Sequence, residues 1–145
     1  MLNKRLLNII GYVLLFLGIS MLFSAAWSYY YQEKESFNAI IKSFFITSSF
    51  GLFLVLSTQL HFKRIFPFFT FKDRDKFELS HRDGYVLVTL SWISMGLFSA
   101  LPFYFFGGAF ESYIDSFFEA ISGITTTGAS ILKGADIDAY GIDAK

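Results

Sequence analysis

The residues best suited to chemistry in this chain form the oxygen-rich run Gly-Ile-Thr-Thr-Thr-Gly-Ala-Ser at positions 123–130. An extended Thr-Thr-Thr-Gly backbone offers a carbonyl oxygen at every residue, and the threonine side chains add hydroxyl oxygens. A cation that leaves water needs its hydration shell replaced by oxygen ligands of this kind. Gly128 tolerates backbone angles that a side chain would forbid, so its carbonyl can turn toward an ion. The run therefore suits the lining of a cation pathway, although threonine-rich turns that end in glycine are common and the motif alone is weak.

Catalytic and metal-binding alternatives have less support in the sequence. Asp115 and Glu119 lie four residues apart on one helical face and could act as an acid pair. No histidine or second carboxylate cluster lies within the apolar segments to complete such a site. Asp115 is better explained by its place near the N-terminal dipole of a short helix, and Glu119 by a hydrogen bond inside the loop that follows. His61 and His81 are too far apart in sequence to suggest a local metal site, and the chain has no Cys to assist them. We therefore predict that the protein is not an enzyme and has no organic cofactor.

The composition predicts an integral membrane protein. Hydrophobic residues make up 54% of the 145, Phe alone contributes 20 residues, and the mean hydropathy is +0.49. Charged residues amount to 17% with a net charge of zero, which gives no basis for a nucleic-acid partner. Apart from one lysine, the charges cluster near the N-terminus, at 33–35, at 63–83 and from 111 onward. The gaps between the first three clusters, and the gap that follows position 83, are long enough to span a bilayer.

Three apolar segments are predicted to be transmembrane helices, at positions 6–31, 37–60 and 84–106. The first is longer than the apolar core of a secretory signal, so we expect a retained helix rather than a cleaved signal. Lys42 is the one charge inside these segments, and a lysine that snorkels to the interface explains it better than an ion-pathway residue does. Pro102 should kink the third helix, and Gly107-Gly108 should end it.

The distribution of Lys and Arg predicts the orientation of the chain. With the N-terminus in the cytoplasm, eight basic residues lie inside: Lys4, Arg5, Lys63, Arg64, Lys72, Arg74, Lys76 and Arg82. The four on the external side are Lys34, Lys42, Lys133 and Lys145. This excess satisfies the positive-inside rule. Positions 61–83 then form a cytoplasmic interfacial loop, whose interleaved Phe residues favour the headgroup region, and positions 107–111 form an external loop.

A fourth, shorter helix is predicted at positions 112–123. Ser112 and Asp115 have the spacing of a capping box, which marks its start. At ~1.5 Å per residue, a helix of this length reaches only about half way through a bilayer. Its C-terminal end would point the negative pole of the helix dipole toward the membrane centre and favour a cation there. We therefore expect a re-entrant pore helix followed by an extended filter strand at 124–130 that lines a watery cavity.

Four sequence motifs in the second half of the chain occur in a characteristic order. They are Arg-Asp-Gly-Tyr at 82–85, Leu-Ser-Trp at 90–92, Leu-Pro-Phe-Tyr at 101–104 and Asp-Ser-Phe-Phe-Glu-Ala-Ile-Ser-Gly-Ile-Thr-Thr-Thr-Gly-Ala at 115–129. Together they resemble the first pore-forming repeat of the Trk/Ktr/HKT superfamily of potassium transporters. The resemblance is close over positions 82–132, and the two helices that precede this repeat resemble the TrkH-type branch in topology.

The resemblance implies potassium uptake by the pore-forming, ion-translocating subunit of a Trk-type system in the cell (inner or plasma) membrane. In that family four repeats, each with an outer helix, a pore helix, a filter strand and an inner helix, surround one axis. By this resemblance, backbone carbonyls of Thr126, Thr127 and Gly128 bind potassium, with Thr125 and Ala129 flanking them. It also implies passive or ion-coupled (symport) transport, a homodimer, surrounding membrane lipid and a cytoplasmic nucleotide-binding regulatory subunit of the TrkA type.

The chain departs from the family pattern after the filter strand. Positions 131–145 form a polar tail, and neither an inner helix nor three further repeats follow. We therefore expect an N-terminal fragment that carries an incomplete first repeat, all-α apart from the filter loop, and that needs the remaining repeats to enclose a pore. The alternative from another class is a membrane anchor or sensor module whose loop packs structurally without conducting.

Overall fold

The computed structural model describes residues 4–59, 81–108, 110 and 112–132. This described part of the chain consists of helices joined by turns, with no strand. The helices are α1 (Lys4–Tyr30), α2 (Lys34–Gln59), α3 (His81–Ser99), α4 (Leu101–Phe106) and α5 (Tyr113–Ile124). The predicted all-α class is therefore confirmed.

Three helical stretches are long and apolar enough to cross a membrane. They are Arg5–Tyr30, Lys34–Thr58 and His81–Phe106, with 26, 25 and 26 residues. The three expected membrane-spanning segments are therefore present, and helix ends differ from the predicted ones by at most three residues. The predicted cytoplasmic loop lies outside the described residues except at 81–83, which begin α3, and the predicted tail is described only at 131–132.

The first two helices pack as an antiparallel hairpin joined by a turn at 31–33. Buried residues recur at every fourth position along α2: Ala39, Ser43, Thr47, Gly51 and Val55. A Cβ atom on Gly11 of α1 would lie 2.8 Å from the Val55 Cγ2 and 3.0 Å from the Gly51 carbonyl oxygen. The two backbones therefore meet at a pair of glycines, and the close approach gives the van der Waals contact that holds helices together in lipid.

Polar side chains connect α1 and α2 at both ends of this hairpin. Near the start of α1, the Asn8 amide nitrogen donates to Thr58 Oγ1 at 2.7 Å. At the turn, Ser28 Oγ donates to the Glu33 carbonyl at 3.0 Å, and Gln32 takes a left-handed φ of 60°. These bonds satisfy polar groups that would be costly to leave unpaired in an apolar environment.

The third span is divided at Ala100, between α3 and α4. Pro102 lies in the first turn of α4 and has no N–H to donate to the carbonyl one turn earlier. Gly107 follows α4 with a φ of 73°, and its N–H donates to the Phe103 carbonyl at 3.1 Å. The break before Pro102 and the stop at Gly107 are where the sequence predicted them.

Large apolar side chains remain exposed on the outward faces of all three spans. They include Phe16, Phe23, Phe45, Phe53, Tyr85 and Val88. The Lys42 side chain is also exposed, on α2. Such broad apolar faces suit contact with lipid tails or with further helices.

Candidate cation-lining loop

The short helix α5 begins at a side-chain cap. Ser112 has extended backbone angles (φ −107°, ψ 142°), and its Oγ accepts a hydrogen bond from the Ile114 N–H at 3.2 Å. The Ser116 N–H donates to the Ser112 carbonyl at 3.1 Å, which closes the first turn. Ser112 is therefore the N-cap that the sequence predicted, with Asp115 in the first turn, although the capped N–H belongs to Ile114 rather than to Asp115.

Helix α5 docks against α3 at a glycine. A Cβ atom on Gly96, which is buried, would collide with Ile121 Cδ1 and lie 2.9 Å from Phe117 Cε2. The Tyr113 hydroxyl donates to the Leu97 carbonyl at 2.6 Å. Burial raises the pKa of Tyr113, so this hydroxyl stays protonated as a donor at neutral pH. Packing at one end of α5 and a hydrogen bond at the other fix the helix on α3.

The C-terminal end of α5 closes with a Schellman motif. The Thr126 N–H donates to the Gly123 carbonyl at 3.1 Å, and the Thr127 N–H donates to the Ser122 carbonyl at 3.0 Å. This pairing places Thr126 in the left-handed position that glycine usually occupies, and its φ is 55°. A β-branched residue in this region is an outlier, which marks a locally strained backbone.

The threonine hydroxyls at this end of the helix are engaged within the loop. Thr125 Oγ1 donates to the Ile121 carbonyl at 2.7 Å and lies 2.8 Å from Thr127 Oγ1. Thr126 Oγ1 donates to the Thr125 carbonyl at 2.7 Å. The hydroxyl hydrogens of Thr125 and Thr126 are therefore used within the loop, whereas the hydroxyl oxygens keep lone pairs for a ligand.

A carboxylate of α5 holds the far end of the loop. Glu119 accepts from Ser130 Oγ at 2.9 Å through Oε1 and from the Ile131 N–H at 3.2 Å through Oε2. Ser130 Oγ in turn accepts from the Leu132 N–H at 3.1 Å. The chain that leaves α5 is thereby tied back to the side of the same helix, as the sequence led us to expect for Glu119.

Between these two attachments the backbone is open. Every residue of 125–130 is exposed, and within the described chain no hydrogen-bond donor reaches the carbonyl oxygens of 126–129. Gly128 has a φ of 72°, and a Cβ there would meet nothing within 4 Å. With left-handed angles at Thr126 and Gly128, the segment is a turn followed by irregular backbone rather than a regular extended strand.

The structure brings the five predicted ion-binding residues together because they are consecutive on one loop: Thr125, Thr126, Thr127, Gly128 and Ala129. Ile124, predicted to start the strand, is instead the last residue of α5. The sequence did not predict that Gly96 positions α5 or that Ser130 anchors the loop. For Gly96, a glycine inside an apolar helix was the only signal in the sequence.

In the described residues, no group of three or more His, Cys, Asp or Glu side chains could hold a metal ion.

The fold and the loop define a multi-pass α-helical membrane protein. No protein-family model matches the chain. The Trk system potassium uptake protein TrkH of Salmonella typhimurium is 29% identical over 133 residues, which are 92% of this chain and 24% of that protein. TrkH of Halomonas elongata is 45% identical over 60 residues, 41% of this chain and 12% of that protein. The potassium uptake protein TrkG of Escherichia coli is 30% identical over 122 residues, 84% of this chain and 22% of that protein.

The chain is therefore related to the TrkH and TrkG potassium uptake proteins, and the predicted resemblance to the Trk family is confirmed. These relatives are named for uptake of an ion rather than for an enzymatic reaction. The chain spans about a quarter of the length of the curated TrkH proteins that it matches along most of its own length, 24% for the Salmonella protein.

Proposed function

We propose that the full-length protein carrying this chain takes up potassium across the cell membrane as the pore-forming subunit of a Trk-type system. Its sequence relatives, which are named potassium uptake proteins, support the choice of ion. The observation that carries the proposal is the loop at 125–130, called here the filter loop: its residues are exposed, and its carbonyl oxygens at 126–129 accept no hydrogen bond from the described residues between the two attachments to α5. In this proposal α5 is a re-entrant pore helix and the filter loop is one of four filter linings.

The proposed chemistry is dehydration and selection of a cation. Carbonyl oxygens of Thr126, Thr127 and Gly128 replace part of the hydration shell of potassium, with Thr125 and Ala129 flanking them. The carbonyls of Thr126, Thr127 and Gly128 accept no hydrogen bond from the described residues, which supports their role as ligands. One loop supplies about a quarter of the oxygens in a four-repeat filter, so the remaining repeats of the full-length chain complete the site.

The helix α5 adds a favourable field for the ion. Its 12 residues span about 18 Å, about half of a bilayer. If α5 enters from the external side, its C-terminal carbonyls and the filter loop lie near the middle of the membrane. The negative pole of the helix dipole then faces the ion, where a cation is favoured.

The proposed topology has the N-terminus in the cytoplasm and three spans before α5. The excess of Lys and Arg on that side supports this orientation. The exposed apolar faces of α1–α3 support contact with membrane lipid and with the remaining repeats. From the family resemblance we extend the proposal to a homodimer in the inner or plasma membrane, with a nucleotide-binding regulatory subunit of the TrkA type and passive or symport-coupled transport.

The alternative, a membrane anchor or sensor whose loop only packs, is not favoured. The similar proteins are named for transport rather than for signalling or anchoring.

The test is ion flux through the full-length protein in liposomes, compared with its Gly128→Ser variant. A side chain at the left-handed φ of Gly128 costs about 1–2 kcal/mol, and the backbone can relieve this strain by turning the Gly128 carbonyl away from the ion. A free-energy difference of about 1.4 kcal/mol between potassium and sodium binding corresponds to a tenfold change in their ratio. We therefore expect the potassium-to-sodium flux ratio to fall by about that factor.

The matched control is Gly84→Ser in α3. Gly84 has helical backbone, and a Cβ there also meets nothing within 4 Å. The control should keep the wild-type flux ratio. A wild-type protein without potassium flux, or a Gly128→Ser variant with the wild-type ratio, would contradict the proposed filter.

A further inference from the structure

We infer that Glu119 is a positioning residue for ion selection, because its carboxylate fixes the outer end of the filter loop. The inference rests on the proposed function and assigns a role to a residue that is not among the proposed ion ligands. Its basis is the contact of Glu119 on α5 with Ser130, the last residue of the filter loop, and with Ile131, which follows it; these partners lie 11 and 12 positions after Glu119.

The two Glu119 oxygens match the two donors that they face. An ionised carboxylate only accepts hydrogen bonds, and here one oxygen receives the Ser130 O–H at 2.9 Å while the other receives the Ile131 N–H at 3.2 Å. The Leu132 N–H donates to Ser130 Oγ at 3.1 Å, which leaves the hydroxyl hydrogen free to point at Glu119. Hydrogen bonds to an ionised acceptor are stronger than neutral ones, so the carboxylate holds two consecutive residues directly, and Leu132 is linked to it through Ser130.

The inner end of the filter loop has its own attachment. There the Thr127 N–H donates to the Ser122 carbonyl at 3.0 Å. Between Thr127 and Ser130 lie only Gly128 and Ala129, both exposed and without a described hydrogen bond. With both ends fixed to one helix, the two residues have little freedom, and their carbonyls keep one orientation. Release of the Glu119 end would leave the loop held at one end only.

Asp115 provides a comparison on the same helix. It lies one turn before Glu119 and carries the same charge, but no hydrogen bond from the described part of the filter loop reaches it. A general effect of negative charge on α5 would be shared by both residues. A positioning effect would be confined to Glu119 and its partner Ser130.

The experiment measures potassium and sodium flux for the full-length protein in liposomes at equal protein content. The variants are Glu119→Gln, Glu119→Ala and Ser130→Ala, with Asp115→Asn as the matched control. Glu119→Ala should lower the potassium-to-sodium ratio about tenfold, the scale of a lost hydrogen bond to a charged group. Glu119→Gln, which keeps one acceptor, and Ser130→Ala, which removes one of two donors, should lie between this value and wild type, and Asp115→Asn should match wild type.

The double variant Glu119→Ala with Ser130→Ala tests whether the two residues act through one contact. We expect its flux ratio to equal that of Glu119→Ala alone, because the shared bond is already absent. A wild-type potassium-to-sodium flux ratio in both Glu119→Gln and Ser130→Ala would overturn the inference. A loss of thermal stability in these variants without a change in the flux ratio of the folded protein would also overturn it, because the contact would then be only structural. If Glu119→Ala does not fold, Ser130→Ala decides alone. A wild-type protein that conducts no potassium would instead contradict the proposed function, so the two failures are distinguishable.

Discussion

Replacement of Gly96 by alanine should weaken the docking of α5 on α3. The new Cβ would collide with Ile121 Cδ1 and lie 2.9 Å from Phe117 Cε2. An extra methyl group forced into a packed contact costs about 1–3 kcal/mol. The intrinsic preference of a helix for alanine over glycine offsets about 0.5–1 kcal/mol of this. We therefore expect the free energy of unfolding to fall by up to about 2.5 kcal/mol.

A second substitution makes this prediction specific to one atom. Ile121→Val removes Cδ1, the atom that the new methyl group meets, and alone should cost about 0.5–1.5 kcal/mol. In the Gly96→Ala background the same change should cost nothing or restore stability. The assay is reversible unfolding of the full-length protein in mixed micelles, with all four members of the double-mutant cycle.

Gly84→Ala is the control for helix propensity. A Cβ at Gly84 meets nothing within 4 Å, so this variant should gain about 0.5–1 kcal/mol. If Gly96→Ala is as stable as Gly84→Ala, the close contact between α3 and α5 is refuted. Additive effects of Gly96→Ala and Ile121→Val would refute the reasoning in the same way, because the two changes would then not meet.

Two further substitutions test the helices that carry the loop. Gly11→Ala should destabilise the hairpin of α1 and α2 by about 1–3 kcal/mol in the same unfolding assay. Its Cβ would meet the Gly51 carbonyl oxygen, a backbone atom that cannot rotate away. Val55→Ala in the Gly11→Ala background should therefore restore only part of the lost stability. Ser112→Ala should cost about 1 kcal/mol at the start of α5, because the Ile114 N–H loses its acceptor, whereas Ser112→Asp should keep it. Hydrogen exchange in the first turn of α5 measures the second effect, and equal protection in both variants would contradict the cap.

The spans and their ends were predictable from the sequence because lipid leaves the backbone few choices. An apolar stretch without water must satisfy its own N–H and C=O groups, so a long uncharged segment between charges becomes a helix. Pro102 and Gly107 act through their own backbone limits, which do not depend on distant contacts. The N-cap at Ser112 is likewise a local effect, since its partner Ile114 is two residues away. Such features are encoded within a few residues and can be inferred from them.

The contacts that shape the loop were less predictable because they depend on packing. Gly96 meets Ile121 from a different helix, and no local pattern identifies the pair. Glu119 was expected to bond within the loop, but its partners Ser130 and Ile131 follow only from the path of the chain after α5. Extended backbone does not begin at position 124 as expected, because the end of α5 closes on itself through the Thr126 and Thr127 N–H groups.

The left-handed angle of Thr126 connects the helix cap to the number of open carbonyls. Glycine satisfies a Schellman position without strain, whereas a side chain there costs about 1–2 kcal/mol, so capping alone does not account for a threonine. The Thr126 hydroxyl does what glycine cannot: it donates to the Thr125 carbonyl at 2.7 Å and occupies one lone pair of that oxygen. The first carbonyl without a described donor is then that of Thr126 itself. Glu119 fixes the chain four residues later through the Ser130 hydroxyl and the Ile131 N–H, which leaves the carbonyls between them without a donor from the described residues. The strained cap at Thr126 therefore sets the start of the row of open oxygens, and Glu119 holds the backbone beyond it.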